Sequence, residues 1–532
     1  MIKNLKYQLI LISILFILFL LPRLILLGND FINIDFPLWN DRITSFANNI
    51  KAGNFNGTYQ TFHPGVTVMW LSGIGFEFFR QIYRHKFGGW PIYNDANIFP
   101  WWSFSLTFPL VLAIAVLTLF SFFLIKKTWS FKEAFLFVFL LSLEPYFLGY
   151  NRILHLDSLH AMFGFVSILS FMVFKKEKKI YWLSLSGMFA GLSFLTRTTG
   201  IFVLISLGFL VILSFLHDLK SVRNLKLAGL KLISFIKITI FILIPFLLVL
   251  WFVFPAAWLE PFNVYAKIFR GSFVLSSQGH DQVWFGKSIK DPPPVYYLIS
   301  FLFSASPFFL ILSFLSLIHI LFLPKTQKEK FIPLLIYLAC FIIMISLSPK
   351  KIPRYLITLF PVFSFFSSAF LSTFVTPKRK IYAIILIFGL LLFQVWGVVK
   401  YFPYFTAYAS PLFGGMPAKE KIIGNKHFGF GLKNVAAYLN TKENIGSVKL
   451  IFEGYGSIEP FILGNVKPDK YFWLNGVNSV DYYLKPYYIY VDNYIKKEDI
   501  WSQVKDKFVL DRIFKIGGFD YWYLYKNRRL AN

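Results

Sequence analysis

Residues 33–65 read NIDFPLWNDRITSFANNIKAGNFNGTYQTFHPG, and the rest of the chain is organised around this polar stretch. Asp35 lies near its start and is followed by apolar residues at helical spacing, from Trp39 to Ile50. A turn rich in Gly and Asn comes next, and then His63-Pro64-Gly65. Most of the sequence downstream consists of long apolar runs. The stretch is therefore predicted to be the first polar loop of a membrane protein, with Asp35 as its candidate reactive group.

The composition indicates a protein that crosses a membrane many times. The chain has 532 residues, of which 56% are hydrophobic and only 15% are charged. A soluble protein would have about 25% charged residues. The net charge of +28 comes mostly from short basic clusters between apolar runs, which fits membrane topology better than nucleic-acid binding. The single cysteine, Cys340, excludes a disulfide within the chain and a Cys-based metal site.

The hydropathy pattern predicts about eleven transmembrane helices. The first, Tyr7–Leu27, follows two lysines and lacks a small-residue cleavage site, so it is predicted to remain as an uncleaved helix. Val66–Phe79 is only about 14 residues long and is predicted to be interfacial or re-entrant. With a cytoplasmic N-terminus, every inside loop is then a basic cluster. The other predicted spans are residues 100–125, 131–149, 155–174, 180–195, 200–216, 233–254, 295–323, 331–347, 355–375 and 381–399.

The fold class expected is mainly α, a polytopic membrane protein with a small C-terminal α/β soluble domain. Residues 1–400 would form the transmembrane domain, with residues 29–99 as its first outer loop. Residues 401–532 would form the soluble domain, placed outside by the odd number of spans. Its predicted elements are a helix over Leu432–Leu439, strands over Val448–Phe452 and Tyr487–Val491, and a hairpin of Arg512–Ile516 and Phe519–Tyr525 with a Gly-Gly turn.

Cations at the outer ends of the predicted helices break the positive-inside pattern. An ionisable residue at the centre of a membrane helix costs about 2.5–3.5 kcal/mol, and less near its ends. A phosphate would offset this cost, because Arg offers it a bidentate fork and Lys a point charge. These cations therefore predict a site for a lipid phosphate or diphosphate headgroup. They are Arg152, Arg197, Lys350, Lys351 and Arg354.

Each of these residues also has a structural interpretation, which the sequence leaves open. The Lys350, Lys351 and Arg354 cluster could bind anionic lipid or a helix end. Arg152 and Asp157 could form an ion pair across a helix start, and Asp157 could instead cap that helix. His63 could be a turn residue bonded to backbone. Asp35 could cap the helix that begins near Pro37.

Several short segments, taken in order, resemble a known family. The chain is similar to the membrane-embedded glycosyltransferases of the type-C fold that use polyprenyl-phosphate sugars, above all the protein O-mannosyltransferase and aminoarabinose (lipid A) transferase group. Phe36 stands where the family usually has a second acid after the first. The segments that carry the resemblance are residues 35–39 (DFPLW), 57–65 (GTYQTFHPG), 152–159 (RILHLDSL), 191–197 (GLSFLTR), 351–356 (KIPRYL) and 404–415 (YFTAYASPLFGG).

This resemblance implies a sugar transfer with inversion. Asp35 would be the general base that deprotonates the acceptor, and Asp157 a second acid that orients the acceptor or holds an arginine. The five cations would stabilise the departing phosphate, which is already a weak base. His63 and Tyr355 would contact substrate. The sequence requires no cofactor, and its spacing leaves a divalent metal unsupported.

The partners expected are a polyprenyl-phosphate sugar donor, membrane lipids and an acceptor that is a lipid, a glycan or a protein, but not nucleic acid. The basic inside loops and the Lys/Ile/Asn/Phe-rich style predict a bacterial inner membrane, with the N-terminus cytoplasmic and the C-terminal part outside. Two alternatives are a flippase or transporter for the lipid carrier and a scaffold that binds a partner. The paired inverted repeats typical of transporters are not found in the sequence.

Overall fold

The computed structural model describes residues 5–30, 32–93, 95–220, 225–375, 380–424, 429–452, 458–463, 465–468, 480–486, 501 and 504–530. Helices dominate the first 400 residues. They are α1 (Leu5–Leu24), α2 (Phe36–Lys51), α3 (Val66–Phe87), α4 (Phe99–Thr128), α5 (Phe131–Ser142), α6 (Pro145–Tyr150), α7 (Asp157–Glu177), α8 (Tyr181–Thr196), α9 (Ile201–Leu219), α10 (Leu225–Phe252), α11 (Ala256–Leu259), α12 (Pro261–Ser277), α13 (Tyr296–Ser304), α14 (Pro307–Phe322), α15 (Lys325–Lys328), α16 (Ile332–Leu347), α17 (Leu359–Ser372) and α18 (Lys380–Tyr401).

The protein is mainly α and polytopic, as the composition predicts. Within the described residues, six helical segments are long and apolar enough to cross a membrane: α1, α4, α7, α10, the segment that includes α9, and the one formed by a 3₁₀ turn and α17. α14 and α16 are shorter apolar helices. Each of the eleven predicted spans contains a helix. The expected mainly helical membrane architecture is therefore confirmed.

Two of the predicted spans are broken in the middle. Residues 131–149 divide into α5 and α6, and residues 295–323 divide into α13 and α14; a proline begins the second helix of each pair. The breaks meet, because the buried carboxylate of Glu144 accepts hydrogen bonds from the amide (2.8 Å) and the hydroxyl (2.6 Å) of Ser306. The partner of each break lies far away in sequence, so hydropathy alone could not reveal it.

The α3 helix is longer than its apolar run. It covers 22 residues, and its C-cap is Gly88, which has φ +73°. The prediction of a segment of about 14 residues was therefore wrong in length. The second half carries Glu77, Arg80 and Arg84 and is amphipathic, which a hydropathy window does not detect. α3 is not among the six long apolar helices found in the described part of the chain.

The α7 helix lies at the centre of the bundle. In α7, every residue from Asp157 to Phe174 is buried, and the helix packs against α4, α8 and α17. Close packing of α8 on α10 depends on Gly187, where an added Cβ would lie 2.1 Å from the Ile242 carbonyl oxygen. The start of α7, at Asp157, is consequently held in the middle of the bundle.

Two short strands, β1 (Gln282–Trp284) and β2 (Lys287–Ile289), form a hairpin in the loop after α12, and the remaining strands belong to the C-terminal part. That part contains α19 (Gly415–Ile423), α20 (Leu432–Leu439), β3 (Lys449–Phe452), β4 (Asn465–Pro468), β5 (Tyr482–Pro486), β6 (Phe508–Ile516) and β7 (Phe519–Asn527).

The strands β3 to β7 form a mixed sheet in the order β4-β3-β5-β7-β6, in which β3 is parallel to β4 and β5 and the other pairs are antiparallel. The predicted α20 helix, the β3 strand and the β6–β7 hairpin are confirmed. Both turn glycines, Gly517 and Gly518, have positive φ, as a tight Gly-Gly turn requires. The predicted strand Tyr487–Val491 lies outside the described residues.

Candidate functional site

The candidate site is built where several helices begin. Asp35 stands at the N-cap of α2, and His63 lies two residues before the N-cap of α3. Asp157 is the first residue of α7, Arg197 precedes the turn that leads into α9, and Arg354 lies in the 3₁₀ turn before α17. Helix N-termini carry partial positive charge and favour anions. The same end of the bundle therefore gathers both the charged side chains and this backbone charge.

Asp35 faces a cation from a distant part of the sequence. The Arg354 guanidinium donates a hydrogen bond from Nη1 to Asp35 Oδ2 at 2.7 Å across 319 residues of sequence. His155 Nε2 lies 3.4 Å from the same oxygen. Asp35 makes no side-chain capping bond to α2, and its side chain remains 25% exposed. The carboxylate therefore faces the cluster and is still partly exposed at the protein surface.

Asp157 is the buried second carboxylate. Its Oδ1 accepts a hydrogen bond from Arg197, and its Oδ2 lies 2.8 Å from His155 Nδ1 and 3.5 Å from Arg354 Nε. The Arg197 guanidinium also lies over the ring of Tyr355, 3.9 Å from its centroid. Asp157 thus holds an arginine, one of the two roles that the resemblance implies, and Tyr355 positions the same arginine.

His63 and Lys350 complete the cluster, and each has a polar side-chain atom without a partner among the described residues. The His63 side chain is packed beside Phe62, and its buried Nδ1 has no hydrogen-bond partner among the described residues. The Lys350 ammonium forms no hydrogen bond or ion pair within the described part of the chain, whereas its backbone amide donates to Ser276. Burial and the nearby Arg354 and Arg197 lower the pKa of Lys350 to about 8. The pocket therefore carries a cation without a protein counterion.

The charge balance favours an anionic ligand. Three cations, Arg197, Lys350 and Arg354, face two carboxylates, Asp35 and Asp157. Burial of Asp35 raises its pKa, but the charge and hydrogen bonds of Arg354 and His155 outweigh burial and hold the pKa well below its usual range. Burial and the same cations lower the pKa of His63. At neutral pH Asp35 is therefore ionised and His63 neutral, and the three cations outnumber the two carboxylates by one.

Two of the predicted phosphate ligands are bonded elsewhere. Arg152 donates to Asp30 Oδ2 at 2.8 Å and to the Pro22 carbonyl at 2.7 Å, and it is 3% exposed. Lys351 donates to Asp291 Oδ1 at 2.6 Å, and its ammonium is likewise buried. The alternative of an ion pair between Arg152 and Asp157 is not what forms, since Arg152 pairs with Asp30 and Asp157 with Arg197.

His155 also belongs to the cluster, although the sequence analysis did not identify it as a site residue. The signal was present, because His155 lies two residues before Asp157 in the same short loop, which is predicted to be outside. Its side chain is 6% exposed and lies between the two carboxylates. Among the described residues, no group of three or more His, Cys, Asp or Glu side chains is arranged to hold a metal ion.

An open apolar cleft of about 360 Å³ lies between α3, α7, α8 and α10. The Trp70 indole donates to the Val253 carbonyl at its edge (2.8 Å). The hydroxyls of Thr67 and Thr196 are 2.7 Å apart, and Thr196 immediately precedes Arg197. The cleft is lined by Thr67, Trp70, Leu71, Phe163, Leu192, Phe252 and Val253. Thr67 thus links the lining of the cleft to the residue that precedes Arg197.

Two solved structures match the chain at low sequence identity. ArnT from Cupriavidus metallidurans, solved with undecaprenyl phosphate, matches with a TM-score of 0.47 and 11% identity over 98% of both chains. The archaeal oligosaccharyltransferase AglB from Archaeoglobus fulgidus, solved with an inhibitory peptide and a dolichol-phosphate, matches with a TM-score of 0.45 and 11% identity over 90% of this chain and 69% of its own. No curated protein matches the chain.

One family model matches part of the sequence directly. Residues 87–247, about three tenths of the chain, match the family described as dolichyl-phosphate-mannose-protein mannosyltransferase. The matched residues include the Asp157 and Arg197 segments of the cluster. The resemblance to the protein O-mannosyltransferase group that the sequence motifs predict is therefore confirmed over this segment.

Proposed function

We propose that this protein is a membrane glycosyltransferase that moves a sugar from a polyprenyl-phosphate donor to an extracytoplasmic acceptor. The observation that carries the proposal is the meeting of Asp35 and Arg354 at 2.7 Å, inside a cluster with an unpaired cation. A polyprenyl-phosphate sugar has an apolar chain, an anion and an electrophilic carbon. The cleft, the cations and Asp35 match these three parts in order.

The phosphate would bind between Arg354, Lys350 and Arg197, with His63 at its edge. Arg354 would then divide its five donors between Asp35 and the phosphate. Preorganised cations stabilise the charge that develops on the departing phosphate without any proton transfer to it. The alternative cations, Arg152 and Lys351, are left out of this assignment because both already have buried or short-range carboxylate partners.

Asp35 would act as the general base. The acceptor hydroxyl or amine loses its proton to Asp35 while it attacks the anomeric carbon, and the phosphate leaves from the opposite face, so that the configuration inverts. One carboxylate is sufficient for this step, which agrees with Phe36 at the position of the family's usual second acid. Asp157 would hold Arg197 and His155 in place.

We propose a bacterial inner membrane with the N-terminus cytoplasmic, so that the cluster opens to the outside. The C-terminal residues 401–532 would then form an extracytoplasmic domain. Lys433 of α20 donates to the carbonyl and the side chain of Asn29, which ties the C-terminal part to the loop after α1.

The experiment that tests this function separates a transferase from a flippase. Purified protein in detergent or vesicles is incubated with a panel of polyprenyl-phosphate monosaccharides and cell-envelope extracts. A transferase converts the donor into free polyprenyl phosphate and a glycosylated product whose anomeric configuration is inverted, as read by mass spectrometry and NMR. Movement of intact donor across the vesicle membrane, without any donor being consumed, would instead support the transporter.

A further inference from the structure

The imidazole of His155 lies between two carboxylates. Its Nε2 is 3.4 Å from Asp35 Oδ2, and its Nδ1 is 2.8 Å from Asp157 Oδ2. A neutral imidazole has one N–H and can donate to only one of the two, whereas an imidazolium can donate to both. The contact with Asp157 is the shorter one, although it is not aligned as a hydrogen bond. We assign the N–H to Nδ1, because two lone pairs 2.8 Å apart would repel each other. In that tautomer the lone pair of Nε2 faces Asp35.

Asp35 and His155 influence each other's protonation. Burial and then Arg354 lower the pKa of His155 to about 4. The pKa of Asp35 is held well below its usual range because the charge of Arg354 and the contacts with His155 outweigh its burial. A proton taken up by Asp35 has His155 Nε2 within 3.4 Å as an acceptor. Asp35 alone is a weak acceptor for a proton from a hydroxyl.

We propose that His155 relays the proton that Asp35 removes from the acceptor, and that Asp157 sets its tautomer. This inference rests on the proposed function. The O–H or N–H bond of the acceptor breaks, and its electron pair forms the new bond to the anomeric carbon. The bond from that carbon to the phosphate oxygen breaks, and its electron pair leaves with the phosphate. The proton passes from Asp35 to His155 Nε2 and is released to water before the next turnover.

The surroundings make the relay depend on the donor. The charged and titratable groups that face His155 from the packed elements are Asp35, His63, Asp157, Arg197 and Arg354. The cations among them, Arg197 and Arg354, disfavour a positive imidazolium. A bound phosphate would offset the charge of these two arginines and so raise the pKa of His155 toward its ordinary value. The imidazolium then has Asp35, Asp157 and the phosphate as counterions, as in other sites where a carboxylate steadies a histidine that accepts a proton.

His155→Gln tests the relay against a matched control. Gln keeps a side-chain donor near Asp35 but cannot accept a proton. The control, His160→Gln, replaces another buried histidine, one turn into α7, whose Nδ1 lies 2.9 Å from the Ser193 hydroxyl and not in the cluster. We expect His155→Gln to lower kcat about 10²-fold with little change in KM for the donor. His160→Gln should alter thermal stability but not the ratio of kcat to KM.

Chemical rescue supplies a readout that packing alone would not move. In His155→Ala, added imidazole should restore part of kcat, and the restored rate should rise with the fraction of imidazole that is unprotonated. Pyrazole, which has the same size but is a much weaker base, should restore little. Equal rescue by both, or His155→Gln as active as His160→Gln, overturns the relay. If wild type transfers sugar and Asp35→Asn does not, the proposed function stands even when this inference fails.

Discussion

At the scale of single residues, the geometry decides between interpretations that the sequence left open. Asp35 occupies the N-cap of α2, as the Asp-x-Pro spacing predicts, but its side chain bonds Arg354 instead of the helix. The Asp157 side chain likewise pairs with Arg197 rather than with Arg152. Sequence spacing places a carboxylate at a helix start. It cannot show which cation, hundreds of residues away, the carboxylate will contact.

Arg354→Gln should make the protein less stable and less sensitive to acid. The folded-state pKa of Asp35 lies below its unfolded value, so its ionisation stabilises the fold above pH about 4 and is lost as pH falls further. Loss of Arg354 removes this pairing and should cost about 1–3 kcal/mol at neutral pH. The thermal unfolding midpoint, measured from pH 3 to 7, should therefore be lower than in the wild type and should depend less on pH. Arg270→Gln, at an exposed arginine of α12, is the control and should leave the curve unchanged.

At the scale of elements, hydropathy predicts where the helices are but not where they break or how far they extend. The spans are visible because about 20 apolar residues are needed to cross a bilayer. The breaks at Glu144 and Ser306 stabilise each other across 162 residues, which no local window records. The polar half of α3 was missed for a similar reason, since its stability comes from its neighbours rather than from its own hydropathy.

The His63-Pro64-Gly65 turn offers a matched pair of glycine variants. Gly65 has φ +59°, and a Cβ there would lie 2.4 Å from the Trp39 ring, whereas Gly53 has φ +67° with no atom within 4 Å. Gly65→Ala should combine backbone strain with a clash and displace His63. Gly53→Ala adds strain alone, about 1–2 kcal/mol. We expect the unfolding midpoint to fall more for Gly65→Ala than for Gly53→Ala, and donor binding to weaken for Gly65→Ala only; equal effects would contradict the packing of this turn against α2.

At the scale of the whole molecule, the positive-inside pattern and the cluster predict the same thing: the loops that build the cluster lie on one side of the membrane. The cluster draws on five segments between Asp35 and Arg354, and all five must open on the same face of the membrane. The sequence predicts this from the basic loops that alternate with them. Five of the seven residues assigned by sequence to catalysis or phosphate binding lie in this cluster, namely Asp35, Asp157, Arg197, Lys350 and Arg354. Arg152 and Lys351 lie in the same predicted outer loops as these residues, yet each is bonded to a carboxylate of its own. A charge pattern in the sequence cannot distinguish such a paired cation from one that is free to bind phosphate.

Single cysteines placed in a Cys340→Ser background test the orientation. A membrane-impermeant thiol reagent applied to intact cells should label Lys51→Cys and Lys287→Cys, which lie at exposed positions in the predicted outer loops. Cysteines at Lys179 and Lys325 lie in predicted inside loops and should react only after the membrane is permeabilised. Labelling of the two pairs in the opposite order would reverse the topology. Labelling of Lys51 and Lys287 from different sides would separate the segments that build the cluster.

The most direct measurement is single-turnover sugar transfer from a polyprenyl-phosphate sugar by wild type, Asp35→Asn and Asp41→Asn. Asp41 is an exposed carboxylate on the same helix and serves as the control. We predict that Asp35→Asn slows transfer by about 10²–10⁴-fold while the donor still binds, and that Asp41→Asn transfers like wild type. Transfer by Asp35→Asn at the wild-type rate would contradict the assignment of Asp35 as the catalytic base.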